Sequence, residues 1–370
     1  MLLVAEPILG QEERAAVADV IESGWITMGP RVRAFEQEFA RRHDAPDGVA
    51  VSSCTAGLHL ILAGLGIGPG DEVLVPSLTF VATANSVVYV GATPVLVDIE
   101  SVRRPHISLS DAEAKCTNRT RAVIVMHYAG YLCDMETWRA FAKQHGLFLI
   151  EDTAHALGVS GVGTGGDAAA FSFYGNKNMT TAEGGMVFAK DPKALERMRQ
   201  MRGHGLTSGT FERLSAKSSY YDVPMLGFNY RMDEIRAAIG LVQLGHVESW
   251  NQRRKALTRV YRKRLAEMAP SVIAPFDENH SSANHIMPVL LPETRSREDV
   301  VAALRDSQVQ TTMHYPPVHQ LSWYRERCPG THLPETDAFA SRELTLPLHP
   351  KMEDAQVDHV VTALARALKN

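Results

Sequence analysis

From residue 49 to about 150, short runs of continuously apolar residues alternate with helical stretches, and this alternation limits the fold more than any other feature. Residues 49–51, 72–76, 93–98, 121–126 and 147–150 read as strands, with helical runs at 58–65 and 79–90 between them. Strands that are apolar on both faces need cover on both sides, which a mostly parallel sheet between helix layers provides. Ahead of this series, 9–22 and 31–43 read as helices around an irregular turn at 25–30. The alternation holds to about residue 190. Beyond it the chain is mainly helical, with one or two long helices over 233–268, and strands return at 286–291. The expected architecture is α/β: a large domain with a mostly parallel central sheet over 1–250, and a smaller C-terminal α+β domain over 251–370.

Composition narrows the class of function. A chain of 370 residues with 45% apolar content can bury a large core without staples. A net charge of −4 offers no general attraction to nucleic acid or to a membrane surface. No apolar run approaches a membrane span, and the first residues carry no basic leader. The 4 cysteines are scattered without a CxxC pair, which reads as a reducing cytoplasm and neither a disulfide framework nor a zinc site. Among 15 histidines there is no HxxxH or HExxH spacing, so no metal is expected.

Several segments carry candidate chemistry, each beside a plainer reading. Gly161 to Gly166 matches GxGxxG, but a strand, not a helix, comes after it, so it reads as a loop. Ser53-Cys54-Thr55-Ala56-Gly57 sits at a strand-to-helix junction, where free amides suit a phosphate and where Ser and Thr are also ordinary caps. Asp152 ends an apolar strand; it either caps the next helix or faces a cationic heterocycle. Lys177 lies after a second buried strand among small residues, and could carry a Schiff base if desolvation lowers its pKa. Residues 253–264 are rich in Arg and Lys with Leu257, Tyr261 and Leu265 at helical spacing. They read as an amphipathic helix with a solvated charged face, an anion-binding role being the alternative.

In this order and spacing, the phosphate turn, EDTAH at 151–155, FSFYGNK at 171–177, TTAEGGM at 180–186 and GFNYRM at 227–232 resemble the pyridoxal-phosphate sugar aminotransferases of the DegT/DnrJ type. GWITMGP at 24–30, GIGPGDEVLVPSLTF at 66–80, ATPVLVDIE at 92–100, YPPVH at 315–319 and LPLHP at 346–350 extend the resemblance over nearly the whole chain. The wording around Lys177 is most similar to perosamine-synthase-like members. The resemblance implies a fold-type-I, homodimeric enzyme with active sites at the subunit interface. It implies pyridoxal 5'-phosphate as cofactor, with pyridoxamine 5'-phosphate as its aminated intermediate.

By the same resemblance, Lys177 is the cofactor's Schiff-base lysine and Asp152 pairs with its pyridine nitrogen. Thr55 and Ala56 offer amides, and Ser172 a hydroxyl, to the phosphate. Phe80 stacks on the ring and His155 stands near the ring hydroxyl. Asn229 reaches the phosphate of the partner subunit's cofactor. Two departures are small: TTAEGG replaces the commoner TTGEGG, and SCTAG varies the glycine-containing phosphate turn.

The implied reaction moves an amino group from glutamate, or another amino acid, to a nucleotide-linked keto sugar, with Lys177 carrying the proton. A free keto-cyclitol is the alternative acceptor. The family's dehydratase branch has histidine in place of the lysine, and Lys177 argues against it. A non-catalytic, cofactor-binding regulator would need a DNA-binding segment or a lost lysine, and the sequence shows neither.

Overall fold

The computed structural model describes residues 1–209, 211, 213 and 220–369. Its centre is a seven-stranded sheet. The strands are β1 (Val49–Val51), β2 (Glu72–Pro76), β3 (Thr93–Val97), β6 (Thr120–Met126), β7 (Phe148–Asp152), β8 (Ala168–Ser172) and β9 (Gly185–Ala189), in the order β1-β9-β8-β7-β6-β2-β3. A short hairpin, β4 (Ile99–Ser101) with β5 (Arg104–Ile107), lies outside this sheet. Within the sheet only β9 runs against the others: it pairs antiparallel with both β1 and β8, while every other pairing is parallel.

Alternate side chains feed two faces, which is why the strands read as unbroken apolar runs. Val49, Val51, Ile124 and Ile150 pack with the helix Cys54–Gly64 on one face. Ala50, Ala169 and Phe171 pack with Phe35 and Phe39 of the helix Pro30–Arg42 on the other. The parallel strands bring their carboxyl ends to one edge. From that edge emerge the turn at Ser53, the segment toward Phe80, Asp152, and the run from Ser172 to Lys177.

The expected long helix is one piece of 35 residues, Glu234–Met268. Its first half packs Ala237, Leu244 and Val247 with Phe35 and Phe39. Its second half packs Leu257, Tyr261 and Leu265 with β10 (Met287–Leu290), β11 (Glu343–Leu346) and the helix Asp354–Ala367. The basic stretch on this helix is solvated at Lys255, Arg259 and Lys263, as its spacing suggests, but not at Arg254. Arg254 is buried and donates to the carbonyls of His285 at 3.0 Å and Leu348 at 2.7 Å. Arg253 donates to Met352 O at 2.6 Å. A guanidinium carries five donors, so it can be buried wherever loop carbonyls lack partners. Among the described residues, no helix is long and apolar enough to cross a membrane.

Candidate active site

Asp152 ends β7 and is 5% exposed. Its Oδ2 accepts the Thr83 hydroxyl at 2.8 Å and its Oδ1 accepts the Ala154 amide at 3.1 Å. The second bond closes a local turn, and no helix begins there for Asp152 to cap. Thr79 Oγ1 lies 2.8 Å from Thr83 Oγ1, so a chain of hydroxyls leads to the carboxylate. Burial raises the Asp152 carboxyl, opposed by Thr83, the Ala154 amide and the Lys177 ammonium. A carboxylate so placed gains from a cation set against it.

Lys177 lies beyond the end of β8. Burial pushes its ammonium down to about 8, with Asp152 pulling the other way. Its Nζ lies 3.5 Å from His285 Nε2. His155 is buried at 2% exposure, with its Nε2 2.7 Å from the Tyr315 hydroxyl and its Nδ1 without any partner. Burial holds both His155 and His285 well below the usual histidine range, so both rings are neutral.

The phosphate turn caps the helix Cys54–Gly64, and Ser53 Oγ already accepts the Ala56 amide at 3.1 Å. Of the two expected phosphate amides, that of Ala56 is therefore engaged within its own turn. Ser172 is buried at the end of β8. Phe80 is exposed, its ring centroid 5.8 Å from that of Tyr315. Asn229 is exposed; its backbone pairs with Gly203, and the next residue's carbonyl accepts the Ser52 amide at 2.8 Å. The segment bearing Asn229 thus lies beside this chain's own phosphate turn.

Lys177, Asp152, His155, Cys54 and Tyr315 form one cluster, Asp152 and His155 buried and the other three half-buried, whose members shift one another's ionisation. Thr83, Asn178 and His285 join it, and the sequence motifs assign them no role. The only linear signal for Thr83 is the i, i+4 threonine pair at 79 and 83. His285 and Asn178 are 107 residues apart and meet only through tertiary packing.

The residues fit pyridoxal 5'-phosphate on three counts. There is a lysine of lowered pKa to engage an aldehyde, a buried carboxylate to oppose a ring cation, and a His155 Nδ1 left without a partner in the protein. Among the described residues, no cluster of His, Cys, Asp and Glu is arranged to hold a metal ion.

The Gly161–Gly166 loop serves the other face of the sheet. The amides of Gly163 and Gly166 donate to the buried Glu151 carboxylate at 3.0 and 2.7 Å. His127 Nε2 lies 3.0 Å from the same group, and its Nδ1 accepts the Cys133 amide at 3.1 Å. Those bonds place the His127 proton on Nε2, toward Glu151.

Comparison with known proteins bears on this cluster. The sequence pattern of the DegT/DnrJ/EryC1/StrS aminotransferase family matches residues 7–365. The chain is 38% identical over 375 residues to the spore coat polysaccharide biosynthesis protein SpsC of Bacillus subtilis (strain 168), covering 98% of this chain and 96% of SpsC. PseC of Helicobacter pylori, an aminotransferase involved in the biosynthesis of pseudoaminic acid, superposes with a TM-score of 0.92 at 27% identity over 100% of this chain and 99% of PseC. Spr1654 of Streptococcus pneumoniae, in its PLP form, superposes with a TM-score of 0.90 at 29% identity over 99% of this chain and 98% of that one.

Proposed function

The chain belongs to the DegT/DnrJ/EryC1/StrS aminotransferase family, whose sugar aminotransferases depend on pyridoxal 5'-phosphate, and from that premise we propose that it transfers the amino group of glutamate to a nucleotide-linked keto sugar, with Lys177 as its catalytic amine. When bound, the cofactor supplies an aldehyde to take up the amino group and a cationic ring to delocalise the electron pair left at Cα.

The chain's own residues do the rest. Lys177 Nζ would engage the cofactor and, once free, move the proton from the substrate's Cα to the carbon that bore the cofactor's aldehyde. Its pKa of about 8 leaves an appreciable share as free amine near neutrality. Asp152 faces the ring nitrogen and holds its proton by a charge-assisted hydrogen bond, with Thr83 fixing the carboxylate's rotation. His155 Nδ1 donates to the ring oxygen. Thr55, Ser172 and Asn229 bind the phosphate and Phe80 covers the ring, which aligns the reacting bond and does no chemistry itself. Ala56 joins the phosphate contacts by exchanging its bond to Ser53 Oγ for one to the ligand.

The observation that carries this reading is Lys177, its ammonium destabilised by burial, inside one cluster with Asp152. The nucleotide-linked acceptor is supported by the FSFYGNK wording around Lys177, and an amino-sugar product by the likeness to PseC. To the same reading belong a cofactor-binding part over 1–250, a smaller part over 251–370, and a homodimer in the cytoplasm. Separate apolar clusters on the two halves of the long helix support the first, and 4 free thiols support the last.

The test incubates purified holoenzyme and glutamate with nucleotide-linked and free keto sugars, read by mass spectrometry. Amination of a nucleotide-linked member is expected. Turnover of free keto-cyclitols alone would overturn the acceptor assignment, and borohydride trapping the cofactor on another lysine would overturn that of Lys177.

A further inference from the structure

Lys255, Arg259 and Arg262 stand at spacings of four and three on the long helix and so share one stripe of its surface. Together with Thr258 they line a cavity of about 290 Å³ whose opposite wall is the segment 278–282, with Asn284 and Tyr131 beside it. None of the residues assigned to the cofactor lines it.

The wall is built, not incidental. Leu132 N donates to Ser281 O at 3.1 Å and Ala283 N to Gly130 O at 3.0 Å, which fixes the 281–283 backbone against 130–132. His280 Nε2 lies 2.7 Å from Leu132 O and holds that ring to the same edge. Arg262 donates to Pro275 O at 2.7 Å and to the Tyr131 hydroxyl at 3.2 Å, so its guanidinium plane is set in advance.

The charge of the lining points to a ligand. The lining carries three cations against one carboxylate, Glu278, which lies 3.3 Å from Arg259 with both side chains more than half exposed. A pair that open to water neutralises little and exchanges readily. Thr258 Oγ1 and Arg262 Nε are shielded from the cavity and are not offered to a ligand.

We infer that this cavity is a second binding site, taking a small phosphate-bearing metabolite. Guanidinium forks and an ammonium suit phosphate oxygens. The volume lies at the lower end of small-molecule sites, roughly 300–1,000 Å³, so the ligand carries a phosphate and a modest organic group.

The test uses the holoenzyme, so that the cofactor's own phosphate site is filled, and titrates inorganic pyrophosphate at constant ionic strength by calorimetry. Two variants accompany it. The double variant Lys255→Gln/Arg259→Gln changes two exposed side chains and leaves the fold alone. Thr258→Val keeps the shape, removes a hydroxyl shielded from the cavity, and serves as the control. Binding to the wild type is expected, weakened about tenfold or more in the double variant and unchanged in Thr258→Val. Two outcomes overturn the site: no binding by the wild type at millimolar pyrophosphate, or binding equally tight in all three proteins, which would place the ion elsewhere.

Discussion

His285 can only accept a proton from Lys177. Asn178 Nδ2 donates to Asn251 Oδ1 at 2.7 Å and to Ala283 O at 2.9 Å, so its Oδ1 is the atom 2.9 Å from His285 Nδ1. The imidazole proton therefore lies on Nδ1, and the bare Nε2 faces Lys177 Nζ at 3.5 Å.

The first prediction rests on that geometry. A neutral acceptor favours the ammonium form of Lys177, while Asp152 and Cys54 also raise its pKa and His155 and His314 are held neutral beside it. Replacing His285 with Phe removes the acceptor and keeps the site dry, so the Lys177 pKa should fall further, by roughly one unit. Acetylation of Lys177 in the apoprotein, followed against pH by peptide mass spectrometry, measures this directly. A midpoint that stays or rises would sink the assignment.

Asp152 gives the second prediction. Asp152→Asn removes the charge opposing the ring cation while keeping the shape, and should cost ~3 kcal/mol of transition-state stabilisation, about a hundredfold in turnover. Thr83→Val leaves the carboxylate charged and held by the Ala154 amide alone, and should cost about tenfold. Steady-state rates with cofactor saturating decide it. Near-normal turnover in Asp152→Asn would refute the role.

These residues differ in how far the sequence exposes them. Asp152 and Lys177 are legible because each stands at or just past the end of an apolar strand, and strand ends at the carboxyl edge are where ligands sit. Thr83 and His285 are not, because their positions come from the packing of distant elements. The glycines at 163 and 166 match a dinucleotide motif for an unrelated reason: a β-carbon would stand 2.5 Å from Phe171 Cζ at Gly163 and 2.6 Å from Leu149 O at Gly166. The TTAEGG departure is explained only by the backbone. Ala182 has φ 67°, the left-handed region that favours the family's commoner glycine. Arg254 was hidden by its neighbours, since a buried and a solvated arginine look alike in a basic run.

The third prediction concerns Glu343, which lies under the site, accepting the His314 amide at 2.9 Å and the Thr345 hydroxyl at 2.6 Å. Burial raises its carboxyl from 4.5 to about 8. The unfolded chain releases this proton near its ordinary pKa and the folded one near 8, so folding loses stability as pH rises between them. Glu343→Gln imitates the protonated form. It should gain on the order of 1–3 kcal/mol over wild type at pH 8 and little or nothing at pH 5. Denaturant unfolding at the two pH values tests this; an equal difference at both would refute it.

Asn229 poses the question of which subunit it serves. Its segment runs beside its own chain's Ser52, which makes service in cis a concrete alternative, while its exposed side chain leaves it open to a partner. The proposal is service in trans. Lys177→Ala subunits lack the catalytic amine, and Asn229→Asp subunits set a carboxylate against the phosphate. Each homodimer should be inactive. In a heterodimer with trans service, one site collects both lesions, and the other pairs an intact Lys177 with the partner's intact Asn229. Random exchange makes about half the dimers mixed, each with one good site of two, so about a quarter of wild-type activity should return. With cis service each site of the heterodimer keeps a single lesion and nothing returns. Subunit exchange is verified by native mass spectrometry of differently tagged chains. Verified exchange without recovery would therefore assign Asn229 to its own chain.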